Sequence, residues 1–337
     1  MTSIPSAEAQ AWATEIFRKA GLPGEDAAIT SRLLVRTSLR GIDTHGITRI
    51  PSYLQNLETG TFDAKARPEI TERHGTLHCH GQGAIGQPVL AAALQAAMQR
   101  CRSQAIVTCT IDDCGHLGAL GAGLLDAAEA GYVGFLCQRV PPLMSPPGFK
   151  GRAIGNNPIA FAMPVAGGVP LVFDTALSKV ARGNVTEAQR EGKPIPEGWA
   201  IDAEGNPTTD AAAALCGAML PMADHKGMGL AMLVECFAAS LAGAGRAKVS
   251  GAGSPGYLGA FLMVANPDLL TGRAAFDESV KRWLGAYMQS GGARARYPGQ
   301  RQAQVERLRL REGIPLARAA TAQLRETGTK HGVPFPA

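Results

Sequence analysis

The chain has 337 residues, of which 45% are hydrophobic and 18% charged, and that apolar fraction excludes wholesale disorder. With 41 glycines, 22 prolines and only 5% aromatic residues, the composition predicts a loop-rich α/β body, long enough for two domains of ordinary size. The net charge of +5 is uneven: from Lys281 to Glu312 eight basic residues face two acidic ones, with few aromatic residues (Trp283, Tyr287, Tyr297) among them, so nucleic acid ranks below a solvated helix or attraction of a small anion.

Taken in chain order, the first helix is marked by Ser6 as N-cap, Glu8 in the first turn, Lys19 in the last, Gly21 just beyond the end and Pro23 after it. No basic segment followed by an apolar core opens the chain, so no leader is expected. Helical patterns follow at about 25–39, 87–102, 117–130, 226–243 and 301–311. Strand-like runs lie at Leu77–Cys79, Ala105–Ile111, Tyr132–Cys137, Ala160–Pro164, Leu171–Asp174 and Phe261–Ala265. Loops rich in Gly, Pro and Asn fall at 40–52, 140–158, 192–210 and 250–258. The most apolar stretch, Gly227 to Gly245, carries Glu235 and Ser240 and stops at Arg246, short of the ~20 apolar residues a bilayer crossing needs, so no membrane span is expected. Seven cysteines (Cys79, Cys101, Cys109, Cys114, Cys137, Cys216, Cys236) contain no Cys-x-x-Cys pair and read as reduced, buried residues of a cytoplasmic protein.

Several segments carry chemistry. Gly81-Gln82-Gly83-Ala84-Ile85-Gly86 matches the dinucleotide fingerprint G-x-G-x-x-G, and the following strand ends at Asp112 and Asp113. The strand before it, Thr76-Leu77-His78-Cys79-His80, alternates like a half-exposed strand instead of forming the continuous apolar run of a buried parallel one. His74, His78 and His80 crowd together, but no third ligand follows along the chain, so the expectation is a solvated face and no metal. Asp43-Thr44-His45-Gly46-Ile47-Thr48-Arg49 places an imidazole, a hydroxyl and a guanidinium in seven residues. Histidine suits proton transfer near neutral pH and arginine suits a carboxylate, although such a loop is also common as plain structure. Gly115-His116-Leu117-Gly118 opens a helix after a strand, where free N–H groups favour an anion. Gly155-Asn156-Asn157-Pro158 reads as a turn, and Phe173-Asp174-Thr175-Ala176-Leu177-Ser178 ends a strand with a carboxylate and hydroxyls. His225-Lys226-Gly227 begins a helix with a lysine set against the helix dipole, as a phosphate partner would favour.

As an ordered set, these segments resemble the malate/L-lactate dehydrogenase family that is not Rossmann-built. The resemblance runs through Asp43–Gly46 with Arg49 and Tyr53, then Gly115–Ala119, Gly155–Pro164 and Phe173–Ser178. It continues through Ile195–Asp202 with Pro207–Asp210, His225–Gly227, and Tyr297-Pro298-Gly299. It implies an α/β (α+β) fold with a largely antiparallel sheet, a discontinuous catalytic domain at 1–115 and 295–337, and a central NAD(P)-binding domain at 116–294. In that fold Gly81–Gly86 is only a turn. The implied activity is interconversion of a small 2-hydroxy acid (malate, lactate or sulfolactate type) and its 2-oxo acid with NAD or NADP. The alternative is reduction of a cyclic imino acid such as pyrroline-2-carboxylate. His45 is the implied proton donor or acceptor, with His116 competing for that role. Arg49 is implied to hold the substrate carboxylate, with Thr44 and Tyr53 as further substrate-binding residues. Asn157, Asp174, Thr175, Ser178, His225, Lys226, Pro298 and Gly299 are implied to hold the nucleotide. A homodimer is implied, with neither nucleic acid nor membrane as partner. Departures from the family wording occur at Arg139-Val140, where Asn-Ser or Asn-Thr is usual, and at Thr175 and Leu177. Asn184 stands where the cyclic-imine reductases tend to carry Asp, and Met222-Ala223-Asp224 where glycine is frequent.

Overall fold

The computed structural model describes residues 2–244 and 258–336. Most of the expected loop at 250–258 therefore lies outside the described residues. A seven-stranded sheet organises the chain. Its spatial order is Glu69–Arg73, Thr76–His80, Ile106–Cys114, Leu258–Ala265, Val133–Gln138, Ile159–Met163, Leu171–Thr175. Every neighbouring pair is antiparallel except Thr76–His80 with Ile106–Cys114, which run parallel. The fold is thus mixed α/β with an antiparallel-rich sheet, as the family resemblance implies. One face of the sheet is closed by the helices Gly86–Arg100 and Leu120–Glu129, and Leu90, Leu94, Cys109, Ile111, Leu124 and Leu262 form its dry interior. A smaller sheet of five two- and three-residue strands lies in 142–219.

A second core joins the two ends of the chain. The helices Ser6–Lys19, Gly24–Leu39 and Ile50–Glu58 pack Phe17, Leu34 and Ile50 with Ile314, Leu316 and Leu324 from the last sixth of the sequence. The strand Thr2–Ile4 pairs antiparallel with Ile314–Leu316, which ties the N-terminal helices to the C-terminal segment.

Most expected elements form within a residue or two. Three differences have physical reasons. Pro5, with no side-chain cap bond, precedes the first helix, and Ser6 is its first residue rather than its N-cap. The helix expected from 117 starts at Leu120, because Gly118 takes φ +84° and Ala119 is extended. Helices at Ile50–Glu58, Arg182–Arg190, Arg273–Gly291 and Arg318–Lys330 were not foreseen. In Arg273–Gly291 only Val280 and Leu284 are buried, so no apolar stripe announces it. Of the seven cysteines, five are buried and free, while Cys216 and Cys236 are exposed.

The strand–turn–helix–strand unit at Thr76–Cys114 has the order of a dinucleotide-binding unit, yet its glycines face the protein itself. Gly81 N donates to Asp112 O at 2.9 Å and Gly83 N to Asp113 O at 2.8 Å, so the amides a pyrophosphate would need are engaged. A Cβ at Gly86 would lie 2.2 Å from the carbonyl oxygen of His116. The Gly86→Ala variant must therefore move the backbone of His116. We expect it to lose about 1–3 kcal/mol, the usual range for overpacking. Urea denaturation measures the loss, and an unchanged midpoint would contradict the close approach.

Candidate active site

Two short 3-10 turns, Asp43–His45 and Ile47–Arg49, follow the helix Gly24–Leu39 and are fixed from three sides. Ser38 Oγ accepts from Ile47 N at 3.0 Å. A Cβ at Gly46 would fall 2.0 Å from that same Oγ, so only glycine fits there. Arg309 grips Asp43 with both terminal nitrogens, at 2.5 and 3.0 Å, and also donates to Ser38 O. One arginine of the basic C-terminal stretch thus acts within the protein, holding the turn. His45 emerges half-buried with Nδ1 3.0 Å from Thr44 Oγ1, and Thr44 is exposed at the rim.

His116 reaches the same place from the end of the strand Ile106–Cys114. Gln138, fully buried at the end of Val133–Gln138, clamps the segment around it. Its Nε2 donates to Gly115 O and its Oε1 accepts from Leu117 N, both at 3.1 Å. His116 Nδ1 stands 2.8 Å from the Tyr53 hydroxyl, to which Gln87 Nε2 donates at 3.2 Å. With Nδ1 engaged, Nε2 is the ring nitrogen left for a ligand. The His45 and His116 ring centroids are 5.6 Å apart. The Arg49 guanidinium lies over the Tyr53 ring, 5.7 Å from its centroid, and its Nε is buried with no hydrogen-bond partner among the described residues. A small cavity lined by Leu34, Thr37, His45, Gln87, Leu117 and Gly118 adjoins the group.

His45, Arg49 and Tyr53 therefore converge with His116, which lies more than 60 residues further along the sequence. Gln87 and Gln138 were missed by sequence reasoning. Each is a polar residue inside an apolar run, and that was their only signal. Burial lowers the His45 pKa to about 4, with the Arg49 charge adding to the effect. Burial lowers His116 to about 3, helped by His45 and then Arg49. Both rings are neutral at pH 7.

The residues expected near a nucleotide divide into two sets. Asp174 ends the strand Leu171–Thr175, and its Oδ2 accepts from Gly121 N at 2.8 Å, on the helix that follows His116. Burial raises its pKa to about 6, partly offset by that bond. The turn Pro298-Gly299 docks on this strand. Val172 N donates to Pro298 O at 3.0 Å, and Gly299 has φ +100° against Pro170 O. Segment 177–179 bonds to 220–222, through Met222 N to Leu177 O at 2.9 Å and Lys179 N to Leu220 O at 2.8 Å. That pairing ties the exposed His225 and Lys226, at the start of the helix His225–Glu235, to the Asp174–Ser178 end. The other set faces inward. The Thr175 and Ser178 hydroxyls donate to Ala176 O and Val180 O. Asn157 is fully buried, its Oδ1 accepting from Val140 N and its Nδ2 donating to Ala231 O and Glu235 Oε1.

A family model for malate/L-lactate dehydrogenase matches residues 4–325, and the chain belongs to that family. It is an oxidoreductase of that family. Among its relatives, the (2R)-3-sulfolactate dehydrogenase (NADP(+)) of Chromohalobacter salexigens is 38% identical over 236 residues, 70% of this chain and 71% of that one. The Delta(1)-pyrroline-2-carboxylate/Delta(1)-piperideine-2-carboxylate reductase of Pseudomonas putida is 33% identical over 330 residues, 96% of each chain. The solved sulfolactate dehydrogenase of Methanocaldococcus jannaschii superposes with a TM-score of 0.89 at 29% identity, covering 99% of this chain and 98% of that one.

The two depressed pKa values yield a direct expectation. In a ¹H–¹⁵N titration of the ligand-free protein, neither ring should take up a proton above about pH 5. An imidazole of this pair titrating near 6.5 would show that it stands in water.

Proposed function

We propose that the chain is an NAD(P)-dependent dehydrogenase/reductase that interconverts a small 2-hydroxy acid, of the malate, lactate or sulfolactate type, and its 2-oxo acid. The observation that carries this reading is the convergence of two neutral imidazoles with one guanidinium, the His116 ring being locked by Tyr53. Arg49 holds the substrate carboxylate, with Thr44 and Tyr53 beside it, and so fixes the oxygen-bearing carbon. His116 Nε2 exchanges the proton with the substrate oxygen, and His45 lines the opposite side. His116 is preferred because its partner chain Gln87–Tyr53 is buried, whereas His45 leans on an exposed threonine.

The far end of the cleft suits a dinucleotide. Lys226 and His225 are exposed at a helix start where a phosphate is favoured. Asp174 offers a carboxylate with one oxygen already oriented, and Pro298-Gly299 borders the same strand. These residues would hold NAD or NADP, which supplies the hydride when bound, while Thr175 and Ser178, their hydroxyls spent on Ala176 O and Val180 O, shape the segment beside it. Asn157 acts at one remove, bracing Val140 and Glu235. We assign the second core, with segments 1–115 and 295–337, to the catalytic domain and 116–294 to the nucleotide domain. The exposed Met232, Leu233 and Leu241 offer a second copy of the chain an apolar surface, and five buried free cysteines suit the reducing cytoplasm.

Reduction of a cyclic imino acid is the second reading, favoured by the likeness to the Pseudomonas putida reductase. Against it, Asn184 offers no carboxyl where the imine reductases tend to have one, and half-buried Arg182 beside it adds positive charge suited to an acid. NADH and NADPH oxidation with a panel of 2-oxo acids and pyrroline-2-carboxylate decides between them. Turnover on the imine alone would sink the hydroxy-acid reading. The His116→Ala variant should lose at least roughly two orders of magnitude in turnover, the ordinary share of acid–base catalysis. If His45→Ala loses this and His116→Ala does not, the roles are exchanged.

Substrate binding should also be linked to protons. A carboxylate on Arg49 offsets the positive charge that depresses both histidines, so their pKa values rise in the complex and a proton is taken up. Affinity for an unreactive 2-oxo acid analogue should therefore increase as pH falls from the ordinary histidine value of 6.5 towards about 4, the free-state value of His45. Calorimetry in buffers of different ionisation enthalpy measures the uptake, and a proton count of zero across that range would refute the linkage.

A further inference from the structure

A cluster outside the cleft, on the open face of the large sheet, brings together two histidines and a carboxylate from different strands. The parallel register sets His78 beside Thr110 and His80 beside Asp112. Side chains two apart share a face, so His78, His80 and Asp112 project together, while Leu77, Cys79, Cys109 and Ile111 fill the core on the other side. His80 Nδ1 lies 2.7 Å from Asp112 Oδ1, and His78 Nε2 lies 3.6 Å from the same oxygen. One ligand atom from each residue falls within 4.8 Å of the other two. We propose that His78, His80 and Asp112 form a binding site for one divalent transition-metal cation of the zinc, cobalt or nickel type.

Three features beyond proximity support this. His78 turns Nε2 to the cluster while Nδ1 lies 2.9 Å from Thr110 Oγ1, the outer hydrogen bond that orients a metal-binding imidazole. Glu69 pairs with His80 across the antiparallel neighbour and is exposed, so it offers a further carboxylate in the same row. Asp113, at φ +50°, brings a second acid, with Oδ2 3.8 Å from His80 Nε2 and Oδ1 buried and unpartnered among the described residues. Three acids beside two imidazoles leave a surplus of negative charge that a divalent cation neutralises. Mixed imidazole and carboxylate ligands select zinc, cobalt or nickel over calcium and magnesium. Because Asp112 O and Asp113 O accept from Gly81 and Gly83, the cation would clasp the turn that backs His116.

The test uses the full chain stripped with a chelator and titrated with Co²⁺, followed by Zn²⁺ competition. One equivalent of Co²⁺ should give visible d–d bands that Zn²⁺ abolishes, and Zn²⁺ should raise the thermal midpoint. His78→Gln and Asp112→Asn should each weaken Co²⁺ binding at least tenfold, while His74→Asn, at the hairpin tip outside the cluster, should not. The far-ultraviolet spectrum of each variant confirms folding, and His78→Gln suffices if Asp112→Asn fails to fold. No saturable binding, or equal affinity in His78→Gln and the parent, would overturn the proposal and leave a hydrogen-bonded network only.

Discussion

The site depends on keeping two imidazoles and a guanidinium out of water together. Three basic groups side by side repel once protonated, and burial adds its own penalty against charge. The protein meets this by leaving both histidines neutral and one arginine charged, with the pKa of His45 near 4 and that of His116 near 3. A cleft in that state is short of one negative charge. The anionic substrate proposed above would supply it, and carboxylate recognition and proton readiness would then be one event instead of two. Tyr53 serves both halves: its ring lies under Arg49 and its hydroxyl holds His116. Neither group can shift without disturbing the other.

The frame around these groups is built from backbone contacts more than from charge. Gln138 brackets His116 by its two neighbours, Gly86 lies against its carbonyl, and Gly46 lies against Ser38. Such contacts have little give, because a side chain at either glycine would meet an atom at 2.2 Å or less. The glycine fingerprint at 81–86 finds its purpose here. Its amides bond to Asp112 and Asp113, and its last glycine admits the backbone of His116. The same permissive backbone that elsewhere cradles a phosphate is filled by the chain's own strand end.

What was legible in the sequence follows from how local each signal is. The alternation in Thr76–His80 announced a half-exposed strand, and that strand is buried at Leu77 and Cys79 and open at His78 and His80. The ordered motifs gave the family and the antiparallel-rich fold before any coordinates. What could not be read was juxtaposition. Arg309 reaches Asp43 across 266 residues, and Gln138 reaches Leu117 only because two strand ends meet. Asp112 ends the strand that follows the glycine fingerprint, and the strand register sets it beside His80, which no local pattern announces. The nearness of Asp112 to His78 and His80 is hidden in the same way, because it lies across the sheet and not along the chain. The long helix Arg273–Gly291 stayed hidden because so little of it is buried.

The departures from the family wording also become intelligible on the nucleotide side. Arg139 replaces a small polar residue, and its Nε stands 3.7 Å from Glu235 Oε2. Glu235 in turn accepts from Asn157 Nδ2, so a half-exposed pair, Arg139 and Glu235, joined to the buried Asn157 ties the strand end to the helix His225–Glu235. The side chain at 139 is thus turned to the scaffold, through its ion pair with Glu235. The start of that helix holds a second departure. Ala223 and Asp224 hold φ of 46° and 52°, values that glycine adopts freely and other residues only at a cost of about 1–3 kcal/mol. Strain of that kind persists only where the surroundings enforce it. Here the enforcing contacts are Met222 N to Leu177 O and the approach of Gly227 to Met222 O, and both fix the start of the helix that carries Lys226. The Arg139–Glu235–Asn157 contacts and the strained pair before Lys226 therefore lie at opposite ends of one helix, His225–Glu235, and fix its two termini by different means.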